Sequence, residues 1–367
     1  MSNIYSYNDS INYLQSHSFW FVAICITPWH MHGAAAFINQ KYQEKTDSNS
    51  QGLFIIQPHP TTGYCLDEKD IRKTIKCPCL VIKGQMGYDS LTIKRLLSSF
   101  FNIRRFKKVH KSLLLITPAS SFVYYQLAVF IDLGLRYDSV VIDEGVSGYL
   151  SPYGWARHNL AETRSIFSAF IMALRRYMSL IVSRTMGIRS QNCMLYQEKD
   201  GYLVLNKSIA DSYLCTFNLN KQDSPISVPQ KYLLFLSQPF NDAKYFELIS
   251  RIALIANNRG YVLCVKLHPR DNRSLWENVK GVMIIDADGP IEEVFYRFDH
   301  RPKVVIGLTS TALLTLHAFF RIDCATIIPI YNKLSKRNSN YDEKFFIEKF
   351  QKEVFLVNDY YRLESIL

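Results

Sequence analysis

Short, almost wholly apolar runs recur through the first half of the chain, at 19–26, 53–56, 79–82, 113–116 and 139–142. Runs of this length, lacking the polar alternation of a half-solvated strand, predict strands of a parallel sheet covered on both faces. Between them a helical period appears near 90–101 and 120–133, and a long helix is predicted over 156–182. Periodicity fades over 206–230, where Asn, Gln, Ser and Pro accumulate, and this stretch reads as an interdomain linker. The alternation then restarts, with strands predicted at 232–236, 261–265, 282–285, 304–306 and 325–328. Helices are predicted at 242–257, 291–298, 310–320 and 342–350. Two consecutive α/β units predict two Rossmann-like domains with parallel sheets facing a cleft, divided as 1–225 and 226–367.

Length and composition agree with that division. The 367 residues, 48% hydrophobic, suffice for two sizeable cores and exclude disorder as a description of the whole chain. Charge adds a new element, because the net +11 is unevenly spread. Between Asp89 and Asp132 stand Lys94, Arg95, Arg104, Arg105, Lys107, Lys108 and Lys111 without one acid. From Trp155 to Gln197 stand Arg157, Arg164, Arg175, Arg176, Arg184 and Arg189 against Glu162 alone. These two stretches account for the whole excess, and they imply nucleic acid, anionic lipid or an acidic substrate as partner. The N-terminal residues lack the basic and apolar regions of a signal peptide. The stretch 166–182 carries Arg175 and Arg176 at its middle, so it does not read as a membrane span. The eight cysteines are scattered in no zinc or redox spacing, which implies reduced, cytosolic thiols.

The chemistry-bearing residues fall where strands are expected to end. Strand 139–142 runs into Asp143, Glu144 and Gly145: two acids at a glycine turn, of which one can serve as a base if their pKa values are split. A solvated loop or helix cap is the plain alternative. Strand 261–265 ends in Lys266, Leu267, His268, Pro269 and Arg270, a basic turn suited to an anion, in which His268 can donate a proton. Strand 304–306 opens into Gly307, Leu308, Thr309, Ser310 and Thr311 before an apolar helix. Hydroxyls and amides at a helix start bind phosphate or carboxylate, and they also cap helices. Glu292 lies early in another helix, where its charge suits the dipole or a ribose hydroxyl. The first strand of each half ends in polar loops, one with Thr27, Pro28, Trp29 and His30, the other with Ser237 and Gln238. No glycine-rich dinucleotide motif, P-loop or HExxH is present.

Singly these motifs are weak, but their order resembles the bacterial GT-B sialyltransferases, in particular the lipooligosaccharide sialyltransferases and capsular polysialyltransferases. VVIDEG, KLHP and GLTSTALL carry most of the resemblance, which spans residues 27–314. It implies inverting, metal-independent transfer of sialic acid from CMP-sialic acid to an acceptor hydroxyl, with no cofactor. Asp143 would be the general base, with Glu144 the alternative or its orienting neighbour, and His268 would protonate or hydrogen-bond the departing phosphate. Lys266, Pro269, Glu292, Ser310, Thr311, Gly307, Ser237 and Gln238 would form the donor site, and Thr27, Pro28, Trp29, His30 and Gly145 the acceptor side.

The implied partners are a CMP-sugar donor, an anionic glycan acceptor and the inner surface of the cytoplasmic membrane, with a homodimer allowed and nucleic acid not expected. In this reading the basic stretches follow an anionic glycan or a lipid leaflet, or are ordinary solvated helix faces. Two alternatives stay open: a transferase for CMP-Kdo or a UDP-sugar, and a non-enzymatic polyanion-binding protein.

Overall fold

The run FVAIC forms β1 (Phe21–Cys25) and the run GLFII forms β2 (Gly52–Ile56), and every residue of both is buried. They sit in a six-stranded parallel sheet with β3 (Cys79–Lys83), β4 (Ser112–Pro118), β5 (Arg136–Ile142) and β6 (Ser190–Cys193), in the order β3-β2-β1-β4-β5-β6. These observations come from a computed structural model that describes residues 5–43, 51–58, 65–84, 112–118, 136–163, 165–185, 190–217, 224–240, 242–268, 270–287 and 289–367. The expected helices at 90–101 and 120–133, and the basic run 94–111, lie outside the described residues. Helix α1 (Tyr7–Ser16), with a Ser6 capping box, places Ile11 and Leu14 on Val22, Ile24, Leu53 and Ile55.

Helix α2 (Pro28–Gln43) packs against β1, β4 and β5. Thr27 to His30 were expected as a loop. They instead form its start: the Thr27 hydroxyl accepts the His30 N–H at 3.3 Å, and Pro28 takes the first helical position, where its missing N–H costs nothing. The predicted long helix over 156–182 is two helices. After α3 (Glu68–Thr74), α4 (Pro152–Thr163) ends before Ser165, whose hydroxyl accepts the Ser168 N–H at 3.2 Å and starts α5 (Ile166–Thr185).

The predicted linker is likewise corrected. Its first part is helix α6 (Lys207–Phe217), started by the Asn206 side chain, which accepts the Ile209 N–H at 3.4 Å. Ala210, Tyr213 and Phe217 recur at helical spacing and are buried, and the polar tail that follows had masked that period.

A hairpin of β7 (Tyr196–Lys199) and β8 (Tyr202–Leu205) precedes α6. A second six-stranded parallel sheet then follows, β9 (Tyr232–Leu236), β10 (Val262–Lys266), β11 (Val282–Ile284), β12 (Val305–Gly307), β13 (Cys324–Thr326) and β14 (Phe355–Leu356), ordered β11-β10-β9-β12-β13-β14. Its helices are α7 (Ala243–Asn258), α8 (Arg273–Trp276), α9 (Ile291–Tyr296), α10 (Thr311–Phe320), α11 (Ile328–Leu334), α12 (Tyr341–Phe350) and α13 (Tyr360–Ile366). A core of Phe235, Tyr245, Leu248, Ile252 and Trp276 seats α7 on this sheet.

Both sheets repeat one strand order, with the chain reversing its direction of travel between β1 and β4 and again between β9 and β12. In such Rossmann-like sheets ligands bind beyond the strand C-termini at that switch point. The chain divides into Met1–Leu195 with Ser212–Leu219, and Tyr196–Asp211 with Asn220–Leu367. The hairpin and the first part of α6 therefore go with the second unit. All eight cysteines are free thiols.

One close approach in the first unit depends on a missing side chain. A Cβ on Gly33 of α2 would lie 2.4 Å from the Tyr213 hydroxyl and 3.1 Å from the Cβ of Ile142. Gly33→Ala gains helix propensity of about 1 kcal/mol but overpacks a close contact, at a cost of about 1–3 kcal/mol. We expect a net loss of stability in urea unfolding, and an unchanged or higher midpoint would contradict the packing.

Candidate functional site

The loop after β5 is organised around the carboxylate of Asp143, which is 1% exposed. Four donors reach it. The indole N–H of Trp29 lies at 3.3 Å and the Gly145 N–H at 2.7 Å from Oδ1, while the Leu195 N–H lies at 3.1 Å from Oδ2 and the Tyr149 hydroxyl also donates there. These groups come from the first turn of α2, the turn after β5 and the segment after β6. One carboxylate therefore ties three strand ends together. The Asp143 N–H in turn donates to the Tyr213 hydroxyl at 3.1 Å.

Gly145 makes the turn feasible. Its φ of 89° is open to glycine and costly for other residues, and it starts the 3₁₀ turn Val146–Tyr149 that returns Tyr149 onto Asp143. Burial pushes the Asp143 carboxyl above its ordinary range, while the bonds from Tyr149, Gly145, Leu195 and Trp29 pull the other way.

Glu144 sits differently. Its side chain is 19% exposed, and Oε1 lies 3.8 Å from Nε2 of the buried His30. His30 Nδ1 accepts the Ile26 N–H at 3.2 Å, so the ring proton is on Nε2, facing Glu144. The same turn of α2 is braced by aromatic packing of Trp29 on Tyr213, with ring centroids 5.2 Å apart, and His32 Nδ1 lies 2.9 Å from the Thr216 hydroxyl. Of the five residues expected on the acceptor side, Trp29 and Gly145 bond to Asp143 and His30 faces Glu144, while Thr27 and Pro28 form the helix start that carries Trp29 and His30.

In the second unit the donor candidates collect at the C-terminal ends of β9, β10 and β12. Ser237, just after β9 and buried, accepts the His268 N–H at 2.7 Å, donates to the Asp271 carboxylate and lies 3.2 Å from the Lys266 carbonyl. Asp271 also accepts the His268 N–H at 3.0 Å. Gln238 joins the other side of the switch point: its N–H donates to Tyr245 of α7 at 3.0 Å, and its side-chain oxygen accepts the Thr309 N–H at 3.1 Å.

Lys266 ends β10 and is half-buried, opposite Leu236. Gly307 ends β12, and the loop beyond it leads to Ser310, which caps α10 by accepting the Ala312 N–H at 3.3 Å. Thr311 is the first residue of that helix. Pro269 lies outside the described residues.

His268 Nδ1 accepts the Arg270 N–H at 3.1 Å, which leaves the ring proton on Nε2. Burial holds its pKa below the usual histidine value, with Arg270 and Lys266 acting in the same direction and Asp271 against it. The ring is therefore neutral at neutral pH and presents an N–H donor. Glu292 is placed unlike the others. It is buried in the first turn of α9 and accepts the hydroxyl of Thr315 on α10, and burial pushes its carboxyl pKa up.

Sequence reasoning missed Tyr149, Tyr213 and Asp271. Tyr149 stands six residues after Asp143, at the spacing a tight return turn requires, and Asp271 three after His268. Tyr213 lay hidden in the stretch read as a linker. Among the described residues no group of three or more His, Cys, Asp or Glu side chains is placed to hold a metal ion.

Comparison with known proteins bears on the second unit. Residues 196–328 match the family model "Alpha-2,8-polysialyltransferase (POLYST)". The match begins at Tyr196, where the second unit begins, and contains Ser237, Gln238, Lys266, His268, Glu292, Gly307, Ser310 and Thr311. No curated protein matches the chain. Among solved structures, a sialyltransferase from Photobacterium damsela is similar at 13% identity and a TM-score of 0.46, over 92% of this chain and 81% of that one. The glycosyltransferase of kitacinnamycin is similar at 10% identity and a TM-score of 0.48, over 95% and 90%. The UDP-GlcNAc 2-epimerase of Methanocaldococcus jannaschii is similar at 12% identity and a TM-score of 0.47, over 94% and 91%. At these identities and scores the fold rests on the two strand orders, and none of these proteins' ligands is carried over. The family match, over the segment that holds the donor-side motifs, supports a sialyl-transferring glycosyltransferase.

Proposed function

We propose that the protein moves sialic acid, or a related nonulosonate, from a CMP-sugar to a hydroxyl of a surface glycan, with inversion and without a metal ion. The observation that carries this reading is the coincidence of the polysialyltransferase match with the rim of Ser237, Gln238, Lys266, His268 and the start of α10. The family's name favours an acceptor that already ends in sialic acid, as on a lipooligosaccharide or capsule. Such an acceptor is an anionic glycan, which suits the basic first half of the chain. Peripheral attachment to the inner face of the cytoplasmic membrane belongs to the same proposal.

In the reaction the acceptor O–H loses its proton to a carboxylate as oxygen bonds to the anomeric carbon, and the bond from that carbon to the CMP phosphate breaks. Negative charge appears on the phosphate. His268 Nε2–H donates to it, and the amides and hydroxyls of Ser310 and Thr311 at the start of α10 bind it or the donor carboxylate. The neutral state of His268 supports a hydrogen-bonding role above full proton transfer. Lys266 supplies a positive charge, and Ser237 and Gln238 hold the rim in shape. Attack from the face opposite the departing CMP gives inversion.

For the base, Asp143 and Glu144 are not equivalent. Both oxygens of Asp143 are already taken up by four donors in a buried site, so proton transfer to it requires breaking one of those bonds. Glu144 is more exposed and faces His30. This contrast supports Glu144 as the base and Asp143 as the residue that sets its position, with Trp29, His30 and Gly145 shaping the acceptor side.

Nucleotide release separates the proposal from its rivals. Incubated with CMP-sialic acid, CMP-Kdo and UDP-sugars plus a sialylated glycan, the protein should release CMP from a CMP-nonulosonate with EDTA present. Release from UDP-sugars or CMP-Kdo only, release dependent on added metal, or salt-sensitive polyanion binding without turnover would each contradict it.

Glu292 gives a test with a pH sign. Its folded-state pKa is raised, so its favourable contribution is complete below its ordinary value of 4.5 and is lost as pH rises through the folded value. Glu292→Gln removes the buried charge and should raise the melting temperature at neutral and alkaline pH, with the gain vanishing in acid. A ribose role adds a higher KM for the donor with kcat kept. An unchanged KM would remove Glu292 from the donor site.

A further inference from the structure

Helix α5 exposes large apolar side chains that no part of the proposed reaction uses. Ile166 is 79% exposed, Phe167 75%, Phe170 60%, Tyr177 59% and Ile181 46%. Positions 166, 170, 177 and 181 fall within about 60° of one another around a helix that turns 100° per residue, with Phe167 about 40° beyond that band. They form one stripe along a helix of 20 residues, about 30 Å long. An apolar stripe of this extent in water marks a contact surface.

The charge on the helix identifies what it contacts. α5 contains Arg175, Arg176 and Arg184 and no acidic residue. On the neighbouring helix α4, the exposed guanidinium of Arg157 lies 5.7 Å from the centre of the exposed Tyr153 ring. No helix among the described residues is long and apolar enough to cross a membrane, and an arginine pair at the middle of α5 argues against a buried span. A second copy would set a helix that holds three arginines and no acid against its like, with no opposite charge to pair them. A bilayer with anionic headgroups instead offers acyl chains to the stripe and negative charge to a helix whose sequence is basic and free of acids, as for a helix lying in the membrane interface.

We propose that the exposed face of α5 docks the protein flat on an anionic lipid surface. This rests on the peripheral-membrane part of the proposed function and names the surface responsible for it. Flotation of the full-length protein with vesicles of phosphatidylcholine alone, or with one third phosphatidylglycerol, tests it. The protein should float with the anionic vesicles, and high salt should weaken the binding. Phe167→Ser combined with Phe170→Ser should reduce binding about tenfold or more, with circular dichroism and CMP release from the soluble donor unchanged.

Equal binding by the double variant would overturn α5 as the docking face while leaving peripheral attachment in place. Equal binding of the wild type to neutral vesicles would overturn the anionic specificity. No binding to either vesicle would overturn the docking proposal and peripheral attachment together, without touching transfer, which CMP release reads separately. A dimer in analytical ultracentrifugation that the double variant dissociates, without vesicle binding, would overturn lipid in favour of a second copy.

Discussion

The buried carboxylate of Asp143 is the constraint on which the first unit's site depends. A carboxyl removed from water is tolerated only where its lone pairs are met, and here an indole, a phenol and two backbone amides meet them. The four donors arrive from three pieces of chain, so the bonds that make its burial tolerable also fix the start of α2, the turn after β5 and the segment after β6. Glu144 and His30 inherit their positions from that arrangement. The Gly33 contact belongs to the same unit of structure, because it lets Tyr213 approach closely enough to take the Asp143 N–H.

The second unit ties its strand ends together with Ser237, Gln238 and the Asp271 carboxylate. Ser237 links the ends of β9 and β10, and Gln238 links β9 to the loop after β12, so the switch point of the sheet is closed by side chains from its first strand. The turn after β10 is shaped by the His268 N–H held between Ser237 and Asp271, and the ring's own Nδ1 is occupied by Arg270. The remaining ring nitrogen is a donor whose basicity burial and nearby cations lower. Such a group can donate a hydrogen bond to an anion without changing its own charge.

The inner strands were legible because they are continuous apolar runs buried on both faces, as FVAIC, GLFII and YLLFL are, whereas the edge strands β6 (SQNC) and β14 carry no such run and were not read. The paired acids, the basic turn and the hydroxyl-capped helix were legible because those residue types stand at strand ends. Helix starts were less so. Pro28 reads as a loop residue although it occupies a favourable first helical position, and the pattern around Tyr213 was diluted by the polar tail beyond Phe217. The break at Ser165 is a cap inside a continuous apolar period, which periodicity alone passes over. The difference in environment between Asp143 and Glu144 was not legible, since neighbours in sequence acquire opposite surroundings only when Trp29, Tyr149 and Leu195 are brought in around one of them.

The claim that Glu144 takes the acceptor's proton while Asp143 holds the site in shape is tested most directly by chemical rescue. Glu144→Ala and Asp143→Ala are each assayed for transfer with and without added formate, a small carboxylate that can enter a vacated base position. Formate should restore transfer to Glu144→Ala and leave Asp143→Ala inactive, because no diffusing ion rebuilds a four-donor anchor. Rescue of Asp143→Ala with Glu144→Ala unresponsive would contradict the account.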